Sequence, residues 1–124
     1  MPDRSVVERL IAGVERREYL ETIAEFYAPD ATMQENLNPP RVGLEALLEN
    51  ERKALEGFFA EPPAAKAVSF LVDGDRAAIH WIFDYTYRQG GGKGRLDEIA
   101  YQVWSGNKIV QERFVFDPGS VRLK

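Results

Sequence analysis

Apolar residues recur at helical spacing in three segments of the first half of the chain. The first segment opens with Ser5 as the predicted N-cap and Glu8 three residues later, which is the capping-box pattern. The second is short and is closed by Pro29, because a proline disfavours helix at the residue before it. The third follows Gly43 and ends near Pro62. The apolar positions of the three segments are Val7, Leu10, Ile11 and Val14; Leu20, Ile23, Ala24 and Tyr27; and Leu44, Leu47, Leu48, Leu55, Phe58 and Phe59.

The second half of the chain changes to a period of two, which is typical of β-strands. Strands are predicted at residues 68–72, 77–87, 95–104 and 108–116. Turn sequences separate them, including Asp73-Gly74 and the loop QGGGKG. We therefore expect four consecutive strands joined by tight connections.

One further strand, ATMQENL at residues 31–37, is predicted between the second and third helices, and it is unusually polar. Helices followed by strands with short connections are the α+β pattern, in which a curved antiparallel or mixed sheet wraps helices on one face. The 124 residues are predicted to form a single domain, residues 1–124.

Composition and charge narrow the possible partners. The apolar fraction is 44% and the charged fraction 29%, which is ordinary for a globular protein. The net charge is −4 and the basic residues are scattered, so nucleic acid is not an expected partner. No apolar run is long enough to span a membrane, so a membrane is not one either. The start of the chain lacks the apolar core of a signal peptide and there is no cysteine, so a cytoplasmic location is expected.

The same composition narrows the chemistry. With no cysteine and His80 as the only histidine, a thiolate-rich or multi-histidine metal site is excluded, and a Ser-His-Asp triad would have to use that one imidazole. Carboxylates and aromatic residues must therefore carry any catalysis. We predict neither a metal nor a cofactor.

Three stretches resemble the nuclear transport factor 2-like superfamily, in its SnoaL-like and ketosteroid isomerase-like branch. They are FYAPDAT after two short helices, the long helix after Gly43, and the closing GNKIVQERFVFDP. The resemblance covers nearly the whole chain. It implies a cystatin-like α+β cone, with a sheet wrapped around three N-terminal helices and a deep, mostly apolar pocket at its open end. It also implies a homodimer joined through the outer face of the sheet. It does not specify a reaction, because the fold hosts isomerases, cyclases, dehydratases, hydrolases and non-catalytic binders.

Within this resemblance, Glu35 falls where ketosteroid isomerases place their general-base aspartate. The polar strand would then line the pocket mouth; the alternative is a solvated edge strand. The oxyanion-donating tyrosine of those enzymes falls on Ile11, and their protonated aspartic acid falls on Ala100. Because enolate stabilisation there rests on both donors, we expect no ketosteroid isomerase activity.

Strand alternation, read in the family register, turns further polar residues into the pocket. The candidate catalytic residues are Glu35, Glu98 and Glu112. The candidate substrate-binding residues are Tyr27, Met33, Glu51, Trp81, Phe83, Tyr85, Gln102, Trp104, Phe114 and Phe116. Converging carboxylates raise one another's pKa unless a cation such as Arg41 or Arg113 intervenes, and a raised pKa suits a general acid or base near neutral pH.

Several of these residues also have an ordinary structural interpretation, without a role in a site. Glu112 paired with Arg95, and Glu98 with Arg113, would be ordinary ion pairs. Glu51 is either at the rim of the cone or paired. His80 is expected on the outer face, where a dimer forms, and the GGGKG segment is expected to be a hairpin tip, since a phosphate-binding loop opens a helix.

The predicted function is therefore that of a small-molecule pocket protein of SnoaL-like type. Its partner would be a small hydrophobic compound with a carbonyl or hydroxyl group. If it is an enzyme, it would be a cofactor-free isomerase, cyclase or dehydratase that transfers protons through carboxylates. The alternative is a non-catalytic ligand-binding or dimeric assembly module with the same fold.

Overall fold

The computed structural model describes residues 2–118 and the backbone of residues 122–123. The α-helices in these ranges are α1 (Arg4–Glu15), α2 (Tyr19–Phe26) and α3 (Leu44–Lys53), and a π-helical turn, Ala54–Phe58, follows α3. The strands are β1 (Tyr27–Glu35), β2 (Arg41–Val42), β3 (Ala64–Asp73), β4 (Arg76–Thr86), β5 (Lys93–Ser105), β6 (Lys108–Val115) and β7 (Arg122–Leu123).

The strands form one mixed, curved sheet that is not closed. Its order is β2-β1-β6-β5-β4-β3, and β7 pairs with β5. The neighbours β3–β4, β4–β5 and β5–β6 are antiparallel, whereas β1 and β6 run parallel. The predicted α+β fold of the nuclear transport factor 2-like type is confirmed.

The start of α1 differs from the prediction. Asp3 is the N-cap, with an extended backbone, and its carbonyl accepts hydrogen bonds from the amides of Val6 and Val7. Ser5 therefore lies inside the first turn, and no side chain caps the helix. The predicted capping box at Ser5 and Glu8 is wrong, because the helix begins at Arg4 and Ser5 is already its second residue, where it cannot be the N-cap.

Two other element ends were also misplaced. Tyr27 is extended and begins β1, so the strand starts before Pro29. The third helix is α-helical only to Lys53 and ends with the π-helical turn, well before Pro62. Beyond that turn Phe59 is extended and bridges to Tyr87, which joins the end of the helix to the end of β4.

The core lies between the helices and the inner face of the sheet. Val7, Leu47, Ile79 and Ile109 are buried there almost completely, with side chains from both layers in contact. The helices α1 and α2 approach closely at Gly13, where an added Cβ would lie 2.4 Å from the Thr22 hydroxyl oxygen. No helix among the described residues is long and apolar enough to cross a membrane. The cytoplasmic location stays a prediction.

Candidate active site

A cavity of about 300 Å³ opens between the helices and the inner face of the sheet. All of the predicted site residues except Trp104 line it: Tyr27, Met33, Glu35, Glu51, Trp81, Phe83, Tyr85, Glu98, Gln102, Glu112, Phe114 and Phe116. Trp104 is buried but is not part of the lining.

Part of the cavity wall was not predicted from the sequence. Most of the missed residues belong to the helices or to the connection after α3, where an apolar stripe looks the same whether it faces a core or a cavity. They are Leu10, Val14, Tyr19, Thr22, Ile23, Asn50, Ala54, Phe59, Pro63 and Leu96.

Strand register brings the polar residues together. Glu112 on β6 lies opposite Gln102 on β5 and beside Met33 on β1, so these three side chains are neighbours on the inner face. Glu98 lies opposite Trp81 on β4. Glu98 is four residues from Gln102 along β5, or about 13 Å of backbone. The two buried carboxyl groups therefore come from separate positions along the cavity.

Glu112 is held by two donors. The Tyr27 hydroxyl donates to Oε1, and Nε2 of Gln102 donates to Oε2 at 2.7 Å. Nε1 of Trp104 donates to Oε1 of Gln102 at 3.1 Å. Because an indole can only donate, this contact fixes the Gln102 amide with its N–H₂ toward Glu112. Trp104 thus positions Gln102 from behind the cavity wall.

Burial raises the pKa of Glu112 to about 7, although the hydrogen bonds from Tyr27 and Gln102 act in the opposite direction. Burial, followed by the charge of Glu112 and the hydrogen bond to it, raises the pKa of Tyr27 well above its usual value. Tyr27 therefore remains a hydrogen-bond donor near neutral pH, while Glu112 changes protonation state there.

Glu98 has a different environment. Only 6% of its surface is exposed, and no hydrogen bond or ion pair from the described residues reaches its carboxyl group. Burial, followed by the nearby carboxylates of Glu112, Glu35 and Glu51, raises its pKa to about 8. Glu98 is therefore predominantly a neutral acid at pH 7.

The alternative ion pairs do not form among the described residues. Arg95 bonds Asp84 on the outer face of the sheet, at 2.8 Å from Nε to Oδ1, and so faces away from Glu112. The partners of Glu112 are Tyr27 and Gln102 instead. The pairings of Glu112 with Arg95 and of Glu98 with Arg113 are therefore wrong.

Arg41 does intervene, but at the rim. Its Nη1 lies 2.6 Å from Oε1 of Glu35, whose side chain is 39% exposed. Glu51 on α3 is also near this pair: burial raises its pKa, Arg41 lowers it and Glu35 raises it. Glu35 therefore has a direct cationic partner, whereas Glu98 and Glu112 have none in the part of the chain that the structure describes.

Aromatic residues form much of the wall near the end of β4. The Trp81 and Phe83 rings are stacked with centroids 5.4 Å apart, and Phe59 packs edge-on against Tyr85. An added Cβ on Gly94, opposite Tyr85, would lie 2.6 Å from the tyrosine ring. The end of the GGGKG segment is thus explained by packing against a cavity residue.

The arrangement can move protons in an apolar space. Near pH 7, Glu112 is close to the midpoint of its titration, whereas Glu98 is mostly a neutral carboxylic acid. Groups with pKa values near the working pH are suited to general acid and base catalysis. Among the described residues, no group of three or more His, Cys, Asp or Glu side chains is arranged to hold a metal ion.

Comparisons with solved structures show the fold. A protein from Mesorhizobium loti, provisionally named a SnoaL-like polyketide cyclase [carbohydrate phosphatase], is 20% identical with a TM-score of 0.77, and the match covers 92% of this chain and 98% of that one. A protein of ketosteroid isomerase-like fold from Catenulispora acidiphila, solved in complex with trimethylamine, is 12% identical with a TM-score of 0.79 over 97% and 91% of the two chains. An NTF2-like protein of unknown function from Burkholderia pseudomallei is 18% identical with a TM-score of 0.77 over 91% and 88%.

A search of curated proteins found no significant match. The model of one protein family, the SnoaL-like domain, matches residues 7–112. This segment contains the described lining of the cavity except for Phe114 and Phe116. The chain belongs to the SnoaL-like domain family.

Proposed function

We propose that this protein binds a small hydrophobic compound with a carbonyl or hydroxyl group and catalyses proton transfer on it without a cofactor. One observation carries the proposal: two buried carboxyl groups, Glu98 and Glu112, share one largely apolar cavity and have unequal hydrogen bonding. Isomerisation, aldol-type cyclisation and dehydration all use such a pair. The choice among them depends on the substrate.

Glu112 serves as the base in this proposal and Glu98 as the acid. Tyr27 and Gln102 donate to Glu112 and so favour its ionised form, whereas Glu98 has no such donors. In an enolisation, the C–H bond next to the carbonyl breaks, its proton passes to Glu112, and its electron pair forms the C=C bond. The Glu98 proton passes to the carbonyl oxygen. The enol carries no net charge, and reversal on another carbon completes an isomerisation.

Glu35 has a lesser part here than the sequence predicted. Its ion pair with Arg41 and its partial exposure place it at the rim, where it would orient an entering compound. Tyr85 and Phe83 would contact the apolar portion of the substrate. This division of roles is supported by the hydrogen bonds and burial of the three glutamates.

The test needs no knowledge of the natural substrate. Small cyclic ketones are incubated with the protein in D₂O, and exchange of the hydrogen next to the carbonyl is followed by NMR. We expect exchange above the buffer rate, and a loss of about 100-fold or more in Glu112→Gln. The matched control is Asp97→Asn, an exposed carboxylate on the outer face, which should exchange at nearly the wild-type rate.

The result that would contradict the proposal is exchange at the buffer rate for every ketone, or exchange that Glu112→Gln leaves unchanged. The alternative function, a ligand-binding module without turnover, would then be the one to pursue. It is supported by the aromatic wall and mostly apolar lining of the cavity, which suit binding without chemistry.

We also propose a homodimer joined through the outer face of the sheet. That face exposes large apolar side chains at Leu71, Ile99, Tyr101 and Val115. Exposed apolar groups that lie close together mark association surfaces. Light scattering at micromolar concentration should give twice the 14.1 kDa chain mass; a mass near 14.1 kDa would remove the dimer.

A further inference from the structure

The charges around the cavity are unbalanced. Four glutamates line it, and among the described lining residues there is no Lys, Arg or His. Arg41 lies outside this lining and is paired with Glu35 at the rim. Within the described part of the chain, the interior thus has acidic groups and no compensating cation of its own.

Glu98 shows the imbalance most directly. More than nine-tenths of its surface is buried, its side chain lines the cavity, and no donor or cation among the described residues contacts it. The ionised form of a buried carboxyl group is unfavourable without a partner, and this carboxyl group faces the space that a ligand would occupy. A ligand that brings its own positive charge would satisfy it.

The wall beside Glu98 is also suited to a cation. Trp81 lies directly across from it on the neighbouring strand and stacks on Phe83. Tyr85 continues the same wall toward the end of β4. Aromatic rings attract cations through their negative faces, and tryptophan does so most strongly. A carboxyl group and aromatic rings thus lie side by side on the inner face of the sheet and line the same cavity.

We propose that the compound bound in this cavity carries a protonated amine, with its ammonium group between Glu98 and Trp81 and its apolar portion against Phe83 and Tyr85. This deepens the proposed function, on which it rests, by naming the substrate class: a small hydrophobic amine that also bears the carbonyl or hydroxyl group. In this complex Glu98 is the counter-ion, and the acid is the ammonium group that it holds, which can pass a proton to the carbonyl oxygen, while Glu112, held by Tyr27 and Gln102, remains the base.

Binding of the ammonium form is then linked to pH. Glu98 is mostly neutral at pH 7, so a bound cation must draw it into its ionised form and release its proton to the solvent. Affinity should therefore rise between pH 6 and pH 8.5, by at most about tenfold per pH unit for each proton released. Simple amines stay protonated over this range.

Other titratable and charged groups also face this space and enter the balance. Glu112 and Glu51 should also make the affinity for an amine rise with pH, as Glu98 does. Their raised pKa values move their ionisation toward the pH range of the experiment. The raised pKa values of the tyrosines keep them neutral. Among the described residues, these groups are Tyr19 on α2, Tyr27 and Glu35 on β1, Glu51 on α3, Tyr85 on β4 and Glu112 on β6, with Arg41 on β2 paired to Glu35 at the rim.

The experiment compares three probes with the same ring: cyclohexylmethylamine, cyclohexylmethanol and cyclohexanecarboxylate. Calorimetry at pH 8, in two buffers of different ionisation heat, gives the affinity and the number of protons released. We expect the amine to bind about tenfold or more tighter than the alcohol. The carboxylate should bind weakest, and only the amine should release protons.

The variant Glu98→Gln should reduce the ratio of amine to alcohol affinity by about tenfold, whereas Asp97→Asn should leave it unchanged. If Glu98→Gln does not fold, the proposal is still tested by the wild-type protein, through its order of affinity for the three probes and its proton release with the amine. Equal or weaker binding of the amine relative to the alcohol, or no binding of the amine, would overturn the inference.

The experiments distinguish a failure of the amine proposal from a failure of the proposed proton-transfer function. If the alcohol binds and the amine does not, the charge class is wrong while a small-molecule pocket stands. If ketone exchange fails but the amine binds with proton release, the pocket is an amine-binding site without the proposed chemistry.

Discussion

Asp97 and Glu98 are adjacent in the sequence and lie on opposite faces of β5. Asp97 points outward, is largely exposed, and has Oδ1 2.6 Å from Nε2 of His80. Glu98 points inward, is 6% exposed, and has no hydrogen-bonding partner among the described residues. The same kind of side chain is thus exposed and paired on one face, and buried and unpaired on the other.

The difference shows how alternation along a strand gives the two faces of one sheet different electrostatic environments. On the outer face, carboxylates meet basic groups in water, as Asp84 does with Arg95. Such pairs add little to stability because solvent screens them. On the inner face, burial and then the nearby carboxylates of Glu112, Glu35 and Glu51 raise the pKa of Glu98 to about 8. Alternation along one strand creates both environments.

The largest expected effect is on the pH dependence of stability. The raised folded-state pKa of Glu98 means that the folded protein holds a proton that the unfolded chain releases above about pH 4.5. The resulting stability is fully present below that pH and is lost as the pH rises through about 8. The slope is about 1.4 kcal/mol per pH unit, or about 4 kcal/mol between pH 5 and pH 8.

Glu98→Gln should remove this share of the decline in denaturant unfolding at several pH values. Asp97→Asn is the matched neighbour and should shift stability by at most about 1 kcal/mol. A wild-type protein whose stability did not fall between pH 5 and pH 8 would contradict the account.

The next largest effect is a difference in stability between alanine variants of two isoleucines. Ile79 on β4 is fully buried, whereas Ile99 on β5 is 40% exposed on the outer face. Ile79→Ala should cost about 3 kcal/mol through lost burial and a cavity. Ile99→Ala should change monomer stability by about 0.5 kcal/mol. Equal losses in urea unfolding would show that the outer face is covered as fully as the inner one.

A smaller effect is expected from the network behind Glu112. Trp104→Phe leaves Oε1 of Gln102 buried without its donor, at a cost of about 1–3 kcal/mol. The amide is then free to rotate, so Glu112 loses part of its hydrogen bonding and its pKa should rise further. Thermal unfolding and a carboxyl titration measure the two effects.

The matched control for Trp104 is Tyr101→Phe, which removes an exposed hydrogen bond with Arg76 on the outer face of the same strand. It should leave the titration of Glu112 unchanged. A Trp104→Phe protein with wild-type stability and an unmoved Glu112 pKa would remove the positioning role of the indole.

The smallest effect concerns the outer ion pair of Arg95 and Asp84. Arg95→Gln breaks a contact of 2.8 Å between exposed side chains, so only a small loss of stability is expected. It should weaken further in high salt, where unfolding is measured in parallel. A loss of several kcal/mol would mean that the two faces are less different than their exposure indicates.

The sheet could be predicted well because its pattern is local. A period of two along residues 77–87 and 95–104 determines which side chains share a face, and the family register indicates which face is inner. Glu98 and Gln102 were assigned to the cavity for this reason. The helical wall could not be assigned in the same way, because Leu10 and Val14 belong to an apolar stripe that reads as core.

Contacts between specific side chains could not be predicted from the sequence. The cation at Glu35 depends on β2, a strand of two residues that pairs with β1 and brings Arg41 opposite Met33. So short a strand has no periodicity to detect. The contact of Trp104 with Gln102 was likewise hidden, since alternation placed both on one face without showing which one the cavity exposes.

The most direct test is a carboxyl-carbon NMR titration of the wild-type protein, with Glu98 and Glu112 assigned from their glutamine variants. We expect midpoints near 8 for Glu98 and near 7 for Glu112. Midpoints for both near the ordinary glutamate value of about 4.3 would contradict this expectation. The inner face would then hold no poised acid or base.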